Sequence, residues 1–456
     1  MRVHDLKCWI SAGACLWGSC AADVAPTQVQ EAPRRLEGEQ TAKVGERIAD
    51  FLIAEHPDLN AWTVKHWEYT NGILLAGIAM LHERIAQRPD RTPDDEARLA
   101  RYRDYVRTFV DDYVGADGAI GYGASKQPYA SVPFNQDLIQ PSNLLFFLLR
   151  ETGEAKYRLA LDGTRALFAR FPTTTEGGFW HKQNYAYQMW LDGLYMSQPF
   201  LVRYGAELAT EPDDRAKCFD TATFQARLIA EKTMDFVPAS PPAKLPVHAW
   251  LDRPGLDAAL ARGDRNVTSP PWPWDDAKTG KSPEIWGRSV GWYALALVDM
   301  LAYLPREHAR REELVSVLRV LASEIARHQD PATGLWYQVL DKPPQADGRY
   351  ADNFVETSAS AMFVYALERG VALGLLEARY REVAARGWEG VKKKVVFDGE
   401  SVVIKDAVAG MGVQDSYAHY IAPLIPGNPP TPALGRQDNT PQGRAAVMFA
   451  ASVMEY

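Results

Sequence analysis

Residues 177–202 read Gly177-Gly178-Phe179-Trp180-His181-Lys182-Gln183-Asn184-Tyr185-Ala186-Tyr187-Gln188-Met189-Trp190-Leu191-Asp192-Gly193-Leu194-Tyr195-Met196, then Ser197-Gln198-Pro199-Phe200-Leu201-Val202. The stretch joins a glycine-aromatic connector to an apolar helical run. The connector recurs as Asp117-Gly118-Ala119-Ile120-Gly121-Tyr122 and as Thr333-Gly334-Leu335-Trp336-Tyr337-Gln338. A repeated unit of helix, glycine-aromatic loop and helix implies a repeated hairpin architecture. Six such hairpins closed in a ring make an (α/α)6 toroid, with the connectors at one end forming a funnel around the axis.

The helical period elsewhere supports that count. Val44, Ile48, Phe51 and Leu52 form one stripe; Ile73, Leu74, Ile78, Leu81 and Ile85 form a second within 62–86. Leu99, Tyr102, Val106, Phe109 and Tyr113 form a third. Further helices are expected at 142–151, with Ser142 as N-cap after Pro141, and at 155–171, 186–205, 222–236, 289–304, 311–328, 356–371, 377–394 and 442–455. That makes about twelve helices and almost no alternating strand pattern: an all-α fold. The stretch 237–285, rich in Pro and Trp, is too long for a plain connector and is expected to be a functional loop over one face.

The N-terminus reads as an export signal over residues 1–21. Arg2 and Lys7 precede a short apolar stretch from Cys8 to Leu16, and Ser19-Cys20-Ala21 gives a small-residue cleavage site. Trp17, Gly18 and Ser19 before Cys20 also resemble a lipoprotein signal, with tryptophan out of place. The alternative is an ordered or untranslated N-terminus on a cytoplasmic enzyme. Residues 22–40 read as a polar tether and 41–456 as a single catalytic domain, exported to the periplasm. Three of the four cysteines lie in the first 20 residues, leaving Cys218 alone in the body, so no disulfide framework or CxxC metal site is expected there. Net charge is −8, or −9 once residues 1–21 are removed, which gives no support to a nucleic-acid partner. No apolar run is long enough for a transmembrane helix. The 13 Trp and 20 Tyr suit stacking on sugar rings, as they also suit an aromatic core.

Motif absences narrow the chemistry further. There is no HExxH, P-loop or GxSxG, and Gly410-Met411-Gly412 lacks the third glycine of a dinucleotide fingerprint. The nine histidines are scattered, so no metal and no cofactor is expected. Four constellations remain. Asp192, between Trp190 and Tyr195, is either a hydrogen-bonded helix aspartate or an acid/base whose pKa burial pushes upward. Asp137, in Asn135-Gln136-Asp137, is either a turn or cap residue or a second functional carboxylate. Arg288 and Trp292, four apart in Trp286-Gly287-Arg288-Ser289-Val290-Gly291-Trp292, face one way on a helix. They make either a structural cation–π pair or a clamp that holds a carboxylate and stacks on a sugar. His248, on the long loop before Trp250, is a candidate site wall.

Taken together, Glu176–Lys182, Gln188–Met196, Ser282–Trp292, Thr333–Pro343 and Asn353–Met362 resemble the unsaturated glucuronyl and galacturonyl hydrolases, glycoside hydrolase families 88 and 105. They are most similar to the rhamnogalacturonyl hydrolases of family 105, from about residue 40 to the C-terminus. The resemblance implies the (α/α)6 toroid and a reaction on the 4,5-unsaturated uronate that pectin lyases leave at non-reducing ends. Such enzymes hydrate the vinyl ether, and the resulting hemiketal opens to release the sugar. It also implies Asp192 as general acid/base and Asp137 as the supporting carboxylate. His181, Lys182, Trp190, His248, Trp286, Arg288 and Trp292 would bind an unsaturated uronate-terminated oligosaccharide. The rule relating carboxylate separation to stereochemistry does not apply, because the anomeric carbon is not the electrophile. Two departures stand out. Tyr185-Ala186-Tyr187 replaces a Tyr-Pro-Tyr, and Trp250-Leu251-Asp252 replaces a Trp-Asp-Glu-Ser, which bears on the second sugar. The rivals are a hydrolase of unsaturated glucuronyl ends from ulvan or glycosaminoglycans, a catalytically silent oligosaccharide-binding toroid, and a polysaccharide lyase using His181 or Tyr185.

Overall fold

A computed structural model of the chain describes residues 43–62, 67–123, 125–128, 131–399, 401–425, 431–432 and 435–456. The export signal, the tether and Cys20 lie outside the described residues. Lys43–Tyr456 forms one compact unit.

In chain order the helices are α1 Val44–Glu55, α2 Leu59–Trp62, α3 Tyr69–Ala86, α4 Pro93–Tyr113, α5 Asn143–Thr152, α6 Ala155–Leu167, α7 Leu191–Glu207 and α8 Pro212–Met234. They continue as α9 Arg253–Ala261, α10 Gly287–Tyr303, α11 Arg311–Arg327, α12 Thr357–Ala372, α13 Tyr380–Lys394, α14 Tyr417–Ile421 and α15 Pro441–Met454. Setting aside the three short ones (α2, α9 and α14), twelve remain among the described residues, one for each helix expected from the sequence. They close an (α/α)6 toroid. In the inner ring α3 packs on α5 and α15, α7 on α10, α10 on α12 and α12 on α15. The remaining junction, α5 to α7, is made by Phe146 against Phe200, centroids 5.5 Å apart. Helices α1, α4, α6, α8, α11 and α13 form the outer layer.

Sequence explains which layer each helix takes. Residues 287–298 of α10 are buried without interruption, as an inner helix covered on every side must be. By contrast, α4 buries only one face, through Asp95, Tyr102, Tyr105, Val106, Phe109, Val110 and Tyr113, and turns its charges outward. Its start is fixed by Pro93 and by a capping box between Thr92 and Asp95.

The three glycine-aromatic connectors share one geometry. Gly118, Gly177 and Gly334 all have positive φ (78°, 87° and 76°), which a side chain would strain. Each turn carries the chain from the end of an outer helix toward the start of an inner one. All six inner helices therefore begin at the same face. Their dipoles point their positive ends at that face, which favours anions there.

Several boundaries differ from the sequence reading. The helix expected from residue 62 starts at Tyr69, where Glu68 accepts from Thr70 N at 3.1 Å. The one expected from 222 starts ten residues earlier, at Pro212. Ser142 sits at the N-cap position but does not cap, because the chain arrives through 3-10 turns already in helical conformation. Its hydroxyl bonds Thr164 Oγ1 at 3.1 Å instead. The long stretch 237–285 is not structureless. It holds a strand over 249–251, paired antiparallel to 188–190 with Met189 opposite Trp250, and then α9, capped by Asp252 accepting from Gly255 N. Five two-stranded ladders occur among the described residues, the longest being 395–398 with 401–404.

Candidate active site

The residues singled out in the sequence meet at the face where the inner helices begin. Asp192 is the second residue of α7, not an interior helical residue as expected over 186–205, because 188–190 is extended and pairs with 249–251. That pairing brings His248, at the head of the second strand, beside Asp192: His248 Nε2 lies 3.1 Å from Asp192 Oδ2. His248 is fully buried, and its Nδ1 lies 2.9 Å from the Tyr420 hydroxyl. The Tyr420 phenol is buried, which pushes its pKa well up, so it stays protonated beside the imidazole. Trp190 and Trp286 flank the imidazole, with centroids at 5.5 and 4.7 Å. His248 is thus the direct partner of the carboxylate rather than a wall.

The expected upward shift of Asp192 is not found. Burial pushes its pKa up, but the hydrogen bond and charge of His248, with smaller contributions from His181 and Arg288, outweigh burial and hold it below the ordinary aspartate value. Asp192 rests as a carboxylate.

Asp137 lies in the 3-10 turn Gln136–Leu138, where Asn135 Oδ1 accepts from its backbone N–H. The backbones at Asn135 and Lys182 pair, which brings the Lys182 ammonium onto Asp137 Oδ2. His181 Nε2 is 3.6 Å from Asp137 Oδ1, beyond hydrogen-bond length. Burial lowers the His181 pKa to about 4, so the ring is neutral at neutral pH. It stacks on Trp190 at 4.3 Å, and Trp190 stacks on Tyr185 at 4.6 Å, forming an aromatic wall beside both carboxylates. Gly193 permits this approach: a Cβ there would come within 2.9 Å of both His181 Nδ1 and Gln136 Nε2.

Arg288 and Trp292 occupy the first two turns of α10 but do not pair with each other. The Arg288 guanidinium lies over the Trp286 ring at 4.8 Å and bonds the carbonyls of Val408 and Ala409. Trp292 stacks on Tyr195 at 4.9 Å. The backbone that holds Arg288 is itself set by Glu356, which caps α12 through Ser358 N and Ala359 N and accepts from Val408 N at 3.1 Å.

Three functional neighbours escaped sequence reasoning: Glu356, Tyr420 and Glu68. Glu356 and Glu68 each precede a helix, so an N-cap signal was present; Tyr420 carries no local signal. Burial, then the charge of Asp137, raises the Glu68 carboxyl to a pKa of about 7. Among the described residues no group of three or more His, Cys, Asp or Glu is placed to hold a metal ion, and no helix is long and apolar enough to cross a membrane.

Comparison with known proteins gives this geometry a family. The chain is 48% identical over 111 residues to Protein Atu3128 of Agrobacterium fabrum and to a 24.9 kDa protein in the picA locus of Rhizobium radiobacter. That match takes in 24% of this chain and spans only 45% of the length of those curated relatives. Among solved structures it resembles a glycoside hydrolase from family 105 of C. acetobutylicum, with 29% identity, TM-score 0.70, and coverage of 91% of this chain and 99% of that one. It shares its fold with the unsaturated glucuronyl hydrolase of Bacillus sp. GL1, at 14% identity and TM-score 0.54, covering 89% and 94%. The family model of Glycosyl Hydrolase Family 88 matches residues 44–424, nearly the whole toroid. The chain belongs to glycosyl hydrolase family 88.

Proposed function

We propose that this hydrolase releases 4,5-unsaturated galacturonic acid from the non-reducing ends of rhamnogalacturonan and pectin lyase products by hydrating the C4–C5 double bond. The observation that carries this reading is the pairing of a buried Asp192 with His248 at the anion-favouring face of the toroid, beside Asp137, Lys182 and the aromatic wall. In this mechanism C4 accepts a proton from Asp192, and the ring oxygen stabilises the cation that develops at C5. Water adds to C5 and returns its proton to Asp192. The C5 hemiketal opens, and C1, left as a hemiacetal, expels the aglycone.

Asp192 rests ionised, so it must gain a proton before the first step. An anionic substrate supplies the reason: its carboxylate brings a like charge and displaces water, and both raise the aspartate pKa. Asp137, fixed by Lys182, would orient the water or the sugar hydroxyls. His181, Trp190, Trp286 and Trp292 would shape the sugar site, and Arg288 would exchange carbonyl partners for the substrate carboxylate. Residues 41–456 would act as one catalytic domain. The composition of residues 1–21 supports export to the periplasm, with Cys20 as a lipidation point if the lipoprotein signal is used.

The test is loss of ultraviolet absorbance of the conjugated double bond on a rhamnogalacturonan lyase digest, abolished in Asp192→Asn. Loss only on unsaturated glucuronyl oligosaccharides would move the substrate to that class, a reading favoured by the structural likeness to the Bacillus unsaturated glucuronyl hydrolase. Loss on neither, with binding retained, would indicate the silent binding toroid.

A further inference from the structure

Beside Lys182 runs an open groove of about 470 Å³. Its lining includes Tyr122, Phe134, Lys182, Asn184, Arg265 and Asn266, and it contains two cations and no carboxylate. That is notable in a chain of net charge −8. The Lys182 charge is already taken by Asp137. Arg265 is exposed and forms no ion pair among the described residues.

The loop that carries Arg265 is anchored on both sides of its tip. Gln183 Nε2 donates to Asn266 O at 3.1 Å, tying the loop to the residue next to Lys182. Val267 is buried in the aromatic cluster that holds Trp180, Trp190 and Phe134. Asp264, the nearest acid in sequence, is turned to its own backbone and accepts from Asn266 N at 3.2 Å. The backbone around Arg265 is therefore held in place, and its guanidinium is an uncommitted cation in a groove also lined by Lys182, the partner of Asp137.

We infer that this groove is a distal subsite for an acidic oligosaccharide, in which Arg265 binds the carboxylate of the second uronate while Phe134 and Tyr122 face the intervening sugar. The inference rests on the proposed unsaturated uronyl hydrolase reading. It follows from substrate chemistry: rhamnogalacturonan alternates an acidic and a neutral sugar, so a second carboxylate lies two residues from the unsaturated end. A guanidinium recognises a carboxylate through two parallel N–H bonds, which an ammonium cannot reproduce.

The experiment compares wild type, Arg265→Ala and Arg265→Lys on the unsaturated disaccharide and the unsaturated tetrasaccharide, at low and at raised salt. In Arg265→Ala, kcat/KM on the tetrasaccharide should fall about tenfold, equivalent to about 1.4 kcal/mol. The disaccharide value should stay within about twofold, since it lacks the second carboxylate. Arg265→Lys should recover only part of the loss, and raised salt should shrink the wild-type preference for the longer chain. Equal effects on both lengths, or no effect on either, would overturn the subsite. Should wild type cleave only glucuronyl-ended chains, the galacturonyl reading fails, and the same two lengths from a glycosaminoglycan digest, which also alternates uronates, decide Arg265. With no turnover on any unsaturated substrate, titration calorimetry with the tetrasaccharide decides, and equal affinity of wild type and Arg265→Ala would overturn the proposal.

Discussion

His248 Nε2 stands 3.1 Å from Asp192 Oδ2, and His248 leads the groups that outweigh burial and hold the carboxylate's pKa down. Replacing His248 with Gln keeps a polar side chain but removes the charge. The Asp192 pKa should then rise, and the alkaline limb of the kcat/KM–pH profile, where the acid loses its proton, should move upward. An unmoved limb would separate His248 from the acid/base.

Asp192→Asn should leave binding within a few-fold of wild type and lower kcat by about a thousandfold or more, the scale of a lost general acid/base. Equilibrium binding of the oligosaccharide alongside single-turnover kinetics checks both halves. A near-normal rate would remove Asp192 from the mechanism.

Arg288→Ala removes the donor shared by the Val408 and Ala409 carbonyls as well as the proposed carboxylate contact. Two effects should appear together: a raised KM, and a loss of about 2 kcal/mol of stability from the carbonyls left unpaired. Denaturant unfolding and steady-state kinetics measure them separately. Arg288→Lys should rescue neither fully, because one ammonium cannot serve two diverging carbonyls as the planar fork does.

His181 is held neutral in the fold, its pKa lowered by burial to about 4 from an ordinary 6.5. The sign follows from linkage. Above pH 6.5 neither state binds the proton; between 6.5 and about 4 only the unfolded chain does, so stability falls as pH falls. The loss should reach about 3 kcal/mol by pH 4 and then level off. Urea titrations of wild type and His181→Gln across that window should show the slope only in wild type, after the parallel titration of the carboxylates is subtracted.

Gly193→Ala places a methyl group 2.9 Å from both His181 Nδ1 and Gln136 Nε2. Gln136 is held from both ends, donating to Trp180 O and accepting from Ser197 Oγ, so it cannot simply step aside. A destabilisation of about 1–3 kcal/mol is expected, with a drop in kcat as His181 shifts against Trp190. Unfolding curves and turnover on one preparation test the pair of effects.

Helix periodicity and the recurring glycine turn were enough to read the twelve-helix ring, because the inner helices are apolar all round and the outer ones striped. Asp137 and Lys182 could be named as candidate site residues, but nothing in the intervening 44 positions announces that the two would touch. Partners drawn from far along the chain were the ones missed. Tyr420 meets His248 across 172 residues, and a tyrosine in a short helix gives no hint of it. The partners of Arg288 are main-chain carbonyls, which any residue type supplies, so no sequence pattern could reveal them. The sign of the Asp192 shift failed for the same reason, since burial is legible in an apolar run but a histidine 56 positions away is not.

Glu455, just past α15, accepts from the Val44 and Gly45 backbone N–H groups at 3.0 and 3.1 Å, across more than 400 residues. Helix α15 also packs between α3 and α12, so the ring has a gap until that helix arrives. A chain leaving the ribosome can pair neighbouring hairpins early, but closure must wait for its last helix, and the loop-closure entropy falls on that late step. Until then the inner helices, apolar on every side, are exposed along the open seam. Substitutions at the α1–α15 contact should therefore lower the yield of folded protein more than they change its final stability.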